Sequence, residues 1–257
     1  MLVLLSPAKK LLAPSKPYTG ITSKPEFTEK TKTLVKIMQS KSVEDIAALM
    51  DLSKDLATLN FERYQSFVLD TQSPMHAYPA LFLFQGDVYQ GLQASHWDQN
   101  TVEYSQSHLR ILSGLYGLLN PLDSIQPYRL EMGVRLENPS GKNLYAYWQE
   151  TITQALNQQL AAQKNPVLIN LASTEYFKAV SESKLNHPVM SVNFYEKKNE
   201  QYKIIGIHSK KARGVMAKFI MQNQLDNVNQ LMQFNELGYV YNEKTSSEHH
   251  IDFIRSC

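Results

Sequence analysis

Five short segments place reactive or charged side chains where a loop meets a regular element. Ser209-Lys210-Lys211-Ala212-Arg213-Gly214 puts three cations into the first turn of a helix predicted to start after Ser209. The helix dipole is positive at that end, so cations there are unfavourable, and an anion they bind explains the grouping better than stability does. Asn170-Leu171-Ala172-Ser173-Thr174-Glu175-Tyr176 reads as a strand, a small-residue turn and a helix start. Unpaired N–H groups at such a start favour phosphate, unless Ser173 serves only as the helix cap. Phe84-Gln85-Gly86-Asp87 sets an acid just past a predicted buried strand, the position at which ligands meet open α/β sheets. Ser6-Pro7-Ala8-Lys9 matches the S-x-x-K pattern in which Lys activates a Ser nucleophile. No K-T-G accompanies it, and a strand-end loop carrying Ser6 and Lys9 to the rim of a cleft is the simpler reading. Arg129 and Glu131 fall on one face of a predicted strand, either as a surface pair worth about 0–1 kcal/mol or as part of a site.

The charge is uneven. The net +2 of the 257 residues combines +6 over residues 1–41, +6 over residues 197–218 and −10 over the remainder. Two basic tracts on a mildly acidic body suggest a face for a polyanion, the plainer reading being solvated lysines on exposed helices. Other chemistries find no sequence support. There is no G-x-G-x-x-G, Walker A, H-E-x-x-H or G-x-S-x-G. His249 and His250 are adjacent, so on a strand they point to opposite faces and do not converge on a metal. Cys257 is the only cysteine, which excludes an intramolecular disulfide, a cysteine metal cluster and a two-cysteine redox cycle within the chain. No cofactor or stable metal site is expected. The N-terminus lacks the basic n-region of a signal peptide, and no apolar run approaches the ~20 residues of a spanning helix. A soluble, cytoplasmic protein is the expectation.

The elements that must position these residues follow from periodicity and punctuation. Strands are expected at Leu2–Leu5, at 80–84 and at 166–171. Ser23-Lys24-Pro25-Glu26 has capping-box spacing and predicts a helix start, with Phe27, Leu34, Ile37 and Met38 as its buried stripe. Further helices open at Ser42 and Ser53, the latter with Leu56, Leu59, Tyr64 and Phe67 recurring at helical spacing. Tyr128, Leu130, Met132, Val134 and Leu136 alternate with Arg129, Glu131, Arg135 and Glu137, a period-two strand pattern. A long helix over 144–162, a short one around 175–180, a hairpin of 189–195 with 202–208, and a helix over 210–222 complete the reading. Strands interleaved with helices plus one hairpin imply a single α+β (mixed α/β) domain over residues 1–257, with a mixed sheet, surrounding helices and an N-terminal helical pair. That pair, 42–67, has helix-hairpin-helix form, but its net −4 over residues 42–70 is poor for DNA contact by itself.

Together the segments resemble the peroxide stress protein YaaA family. The residues that carry the likeness are Ser6-Pro7-Ala8-Lys9, Gly86-Asp87-Val88-Tyr89-Gln90-Gly91-Leu92, Leu112-Ser113-Gly114-Leu115-Tyr116-Gly117, Pro127-Tyr128-Arg129-Leu130-Glu131-Met132-Gly133, Asn170-Leu171-Ala172-Ser173 and Lys210-Lys211-Ala212-Arg213-Gly214. They occur in order from residue 1 to about 240, and the tail after about 243 matches poorly. The family pattern carries Lys where this chain has Gln85 and Thr where it has Lys10, so one positive charge is relocated. The resemblance implies a cytoplasmic bacterial protein of the oxidative stress response that limits peroxide damage to DNA and lowers available iron. It also implies binding of double-stranded DNA through a basic cleft with a helix-hairpin-helix element.

The leading expectation is therefore a duplex-binding protein whose phosphate contacts come from Ser6, Lys9, Arg129, Asn170, Ser173, Lys197, Lys198, Lys210, Lys211 and Arg213. The alternative is an enzyme that cleaves or exchanges a glycosidic bond of a damaged nucleobase or nucleotide, with Lys9, Asp87 and Glu131 as its catalytic groups. An open groove favours the binder, a closed pocket the enzyme. A third reading, iron sequestration, finds no plausible ligand set.

Overall fold

The computed structural model describes residues 1–12, 19–69, 77–199 and 201–256, with Lys198 described by its backbone alone. Cys257 and part of the loop after Lys9 lie outside the described residues. β1 (Leu2–Leu5) and the two-residue β2 (Lys10–Leu11) precede the helices α1 (Thr28–Gln39), α2 (Val43–Met50) and α3 (Lys54–Gln65). β3 (Tyr78–Pro79), the one-turn α4 (Ala80–Leu83) and β4 (Phe84–Gln85) lead into α5 (Asp87–Leu92) and α6 (Gln99–His108). Next come β5 (Leu109–Ser113), β6 (Gly117–Leu119), β7 (Ser124–Ile125) and the long α7 (Leu144–Ala161). β8 (Leu168–Asn170), α8 (Thr174–Phe177), β9 (Val189–Lys198), β10 (Gln201–Lys203) and α9 (Gly206–Gln222) follow, then β11 (Val240–Tyr241) and β12 (His250–Ser256).

Eight strands form one mixed sheet in the order β11-β12-β9-β8-β1-β5-β6, with β10 paired to the far end of β9. The five central strands from β12 to β5 are parallel, and β6, β10 and β11 are antiparallel additions. β1 is apolar at every position and wholly buried, as a strand covered on both faces requires. From β1 the chain first builds β5 on one side, then returns through α7 to build β8 on the other. The boundary between β1 and β8 is thus the topological switch point, where loops leaving the carboxyl ends diverge and open a crevice.

Helix α9 crosses α5 at a pair of glycines. A Cβ on Gly214 would lie 1.8 Å from the Val88 carbonyl oxygen, and one on Gly91 would lie 2.2 Å from the Lys211 oxygen. Only hydrogen fits there. Beyond the crossing, Lys218 Nζ donates to Gln93 Oε1 at 2.9 Å on the C-terminal side of both helices. Lys211 lies at the crossing itself, its carbonyl against Gly91, and Asp87 opens α5 one residue before Val88.

Several sequence expectations change. The period-two segment 128–136 buries Tyr128, Leu130, Met132 and Leu136 as expected, yet it forms no strand. Its backbone is held otherwise: the Tyr64 hydroxyl donates to the Arg129 carbonyl at 3.0 Å, and Gly133 N–H donates to Glu175 Oε1 at 3.1 Å. Residues 80–84, expected as a strand, wind into α4 after Pro79 before joining β4, a run too short for periodicity to decide. The Ser23 capping box does not form. The Ser23 hydroxyl donates instead to buried Asp123 at 2.7 Å, and α1 starts at Thr28. On α3 the expected stripe holds at Tyr64, which is buried, but Leu56 and Leu59 are exposed and Ala57 and Asn60 are buried in their place. The poorly matching tail supplies β12, which pairs with β9 along its whole length.

Candidate functional site

The loops at the switch point bring together residues far apart in the chain. β1 ends in the loop Ser6-Pro7-Ala8-Lys9, and β8 ends at Asn170 ahead of Leu171-Ala172-Ser173. Ser6 Oγ accepts the Ser173 N–H at 2.8 Å and lies 3.3 Å from Ser173 Oγ. The Tyr89 hydroxyl donates to the Ser6 carbonyl at 3.1 Å, which ties α5 to the same loop. Ser173 Oγ also accepts the Tyr176 N–H at 3.4 Å and so caps the four-residue α8. Asn170 Oδ1 accepts the Ala172 N–H, and Asn170 Nδ2 reaches Ser191 Oγ on β9 at 3.5 Å. These three polar side chains shape the turn and join its two loops.

Lys9 turns towards Glu131 and leaves Ser6 to Ser173. Glu131 Oε1 receives Lys9 Nζ at 3.1 Å, Arg129 Nη2 at 3.0 Å and Arg129 Nε at 3.2 Å. The expected ion pair is thus real but not superficial: Glu131 is only 8% exposed. Its other oxygen, Oε2, is buried with no hydrogen-bond partner among the described residues. A buried carboxylate oxygen without a donor is costly and calls for an explanation in terms of a ligand or solvent. Behind it, burial pushes the Tyr64, Tyr128 and Tyr176 phenols above their ordinary pKa, and the Glu131 charge adds to the effect.

An open crevice of about 560 Å³ lies over this cluster, lined by Lys9, Met50, Asp51, Glu131, Arg135 and Glu175 among others. Asp51 belongs to the tight Asp51-Leu52-Ser53 connection between α2 and α3, so the helical hairpin forms one rim. Asp51 holds the left-handed backbone that ends α2, and Ser53 caps α3. The crevice is therefore mixed in charge, with carboxylates of Asp51, Glu131 and Glu175 beside Lys9 and Arg135. Lys10 and Gln85, the two positions that depart from the family pattern, face each other across the β2–β4 pairing. The relocated charge stays on the same cross-strand pair. Asp87 opens α5 directly after Gly86, against which the Ala8 side chain packs.

The cations of α9 need a revised account. The helix starts at Gly206, with Ile205 as an N-cap residue that offers no side-chain bond, and Ser209 is buried inside the helix. Lys210, Lys211 and Arg213 therefore sit in the second turn, outside the range of the dipole argument. Lys210 and Lys211 are exposed, whereas Arg213 is largely buried with its Nε unpartnered among the described residues, and desolvation lowers its pKa. Lys197 is half-buried on β9 and Lys203 exposed on β10. Sequence reasoning missed Asp51, Arg135 and Glu175 as crevice residues. Glu175 lay inside a quoted motif, but its role at the Gly133 N–H depends on a residue 42 positions away.

A mixed, mainly parallel sheet with polar loops at its switch point defines a protein of the open-sheet α/β class. The family model for peroxide stress protein YaaA matches residues 1–245, and the chain belongs to that family. A UPF0246 protein of Legionella pneumophila strain Philadelphia 1 is 63% identical over 255 residues, covering 99% of both chains. Another, from Alteromonas mediterranea, is 47% identical over 256 residues, covering all of this chain and 98% of its own. Membership supports a role in peroxide stress.

Proposed function

We propose that the chain serves the peroxide stress response by binding the backbone of duplex DNA along the carboxyl edge of its sheet, in the cytoplasm. The observation that carries the reading is the pair of exposed lysines, Lys210 and Lys211, on the turn of α9 that packs on Gly91 of α5, the helix tied to the Ser6–Lys9 loop through the Tyr89 hydroxyl. Gly86, which opens α5, packs against Ala8 of the Ser6–Lys9 loop. The helical hairpin of α2 and α3 forms a rim of the crevice that Lys9 lines. Exposed lysines suit phosphates, which carry charge without sequence information. The iron arm of the family role rests on the resemblance alone. Changing Lys210 and Lys211 together to Ala, while leaving the buried Arg213 in place, is expected to weaken binding to all duplexes alike. It should also flatten the dependence of log K on log salt by about 0.9 for each phosphate no longer neutralised. An unchanged slope in an anisotropy titration removes α9 from the interface.

A second reading is favoured by Glu131 Oε2. A buried acceptor in a 560 Å³ crevice suits an N–H donor such as a nucleobase edge, with Glu131 and Asp87 as acid–base candidates and Lys9 as cation or nucleophile. Release of free base or an abasic site from oxidised duplex by the parent, abolished in Glu131→Gln, would support that enzyme. No product from the parent leaves the binder.

A further inference from the structure

The far end of β9 carries a basic and apolar tip. Asn170 pairs with Ser191, but β9 continues to Lys198, where β10 folds back on it, so the hairpin stands beyond the carboxyl edge of β8. Just after it, Ile204, Ile205 and Ile207 are 49%, 39% and 60% exposed, with Tyr202 at 45%. Four large apolar side chains close in sequence thus stay in contact with water, where burying them would be favourable. Such a patch marks a contact surface. Exposed Lys203, Lys210 and Lys211 bracket the isoleucines in sequence.

We propose that this tip is an apolar wedge that enters the base stack of duplex DNA, with the bracketing lysines on the adjacent phosphates; the inference rests on the DNA-binding reading above. A duplex presents anionic rims a few ångströms from an apolar stack of bases, and isoleucine is one of the side chains that open a base step from the groove. A bilayer surface would call for a broader amphipathic face, and α9 has none to give. Its later apolar residues Ala212, Val215 and Met216 are buried. The exposed apolar groups are confined to the first turn and the hairpin, the size of a wedge.

The test uses the full chain and a duplex containing 2-aminopurine, intact or with one mismatch, beside the Ile204→Ser, Ile207→Ser double variant. Both positions are exposed, and a thermal melt matching the parent shows the fold intact. Binding of the parent is expected to raise the 2-aminopurine fluorescence and to favour the mismatched duplex by about tenfold, because a mispair lowers the cost of unstacking. The double variant is expected to keep the salt slope and lose both effects. Equal fluorescence rise and equal preference in the double variant overturn the wedge and leave the backbone reading standing. Absence of salt-dependent duplex binding by the parent overturns both, and binding by the parent to anionic phospholipid vesicles alone assigns the tip to a membrane and overturns the wedge.

Discussion

Replacing Glu131 by Gln removes one negative charge from between two cations while keeping an oxygen in place. On the stability side, Lys9 is 64% exposed, so its half of the cluster contributes about 0–1 kcal/mol. Arg129 is different, because its side chain is 16% exposed and faces a carboxylate that is 11% exposed. Removing the partner of a buried charge altogether costs about 3–5 kcal/mol. A neutral amide oxygen still accepts one bond from Arg129, so the expected loss is about 1–3 kcal/mol. For a chain of this size that lowers Tm by roughly 2–12 °C. On the binding side the sign is opposite. Lys9 and Arg129 are released to phosphate, so duplex affinity at low salt rises and the salt slope steepens by about 0.9 for each cation that engages. Thermal melts and anisotropy titrations from low to high salt read the two effects separately. A variant with weaker duplex binding refutes the reasoning, because it means the buried oxygen accepts from the ligand. An unchanged slope places Lys9 and Arg129 outside the interface.

Gly214→Ala forces a Cβ to within 1.8 Å of the Val88 oxygen, so α5 and α9 must separate by more than an ångström, at a cost of about 1–3 kcal/mol. A melt superimposable on that of the parent would show that the helices do not cross as described. His108 stacks on Tyr104 with ring centroids 3.8 Å apart, and desolvation holds its pKa below the ordinary 6.5. The unfolded chain then takes up that proton first, so stability is lost as pH falls through 6.5 and is unaffected above it. Urea midpoints measured from about pH 7 to 5 should decline less steeply in His108→Gln, and parallel declines in the two proteins would exclude the imidazole as the source.

The sequence reading succeeded where burial and local chemistry coincide. β1 and β8 are apolar runs with turns behind them, and Ser42 and Ser53 cap α2 and α3 as their spacing suggested. It failed where a distant partner claimed a local signal. Ser23 had the spacing of a cap, but Asp123, a hundred residues away, takes its hydroxyl. The alternation over 128–136 correctly marked Tyr128, Leu130, Met132 and Leu136 as buried but missed the burial of Glu131, and said nothing of where the backbone bonds go. Gly206 to His208 gave no helix signal, since Ile205 is no cap, and the start of α9 was therefore placed four residues late. For the site, the residues on the two switch-point loops were legible because small polar side chains cluster after buried strands. The burial of Glu131, the turning of Lys9 towards it and the helical hairpin at the rim depend on packing between segments that no local pattern reveals.

The central place of β1 in the sheet has a consequence for how the protein is made. Val3 pairs with Leu109 on one side and Ile169 on the other, so β1 is synthesised before either neighbour exists. At a synthesis rate of about 5–20 residues per second, the wait for Leu109 is roughly 5–20 s, and longer for Ile169. During it, Leu2-Val3-Leu4-Leu5 is an unpaired apolar segment of the nascent chain, the kind of stretch that associates with copies of itself. Parallel pairings of such long range are also slow to form once the chain is free. Yield in the cell should then depend less on the final stability of the sheet than on what shelters four residues while the rest is being translated.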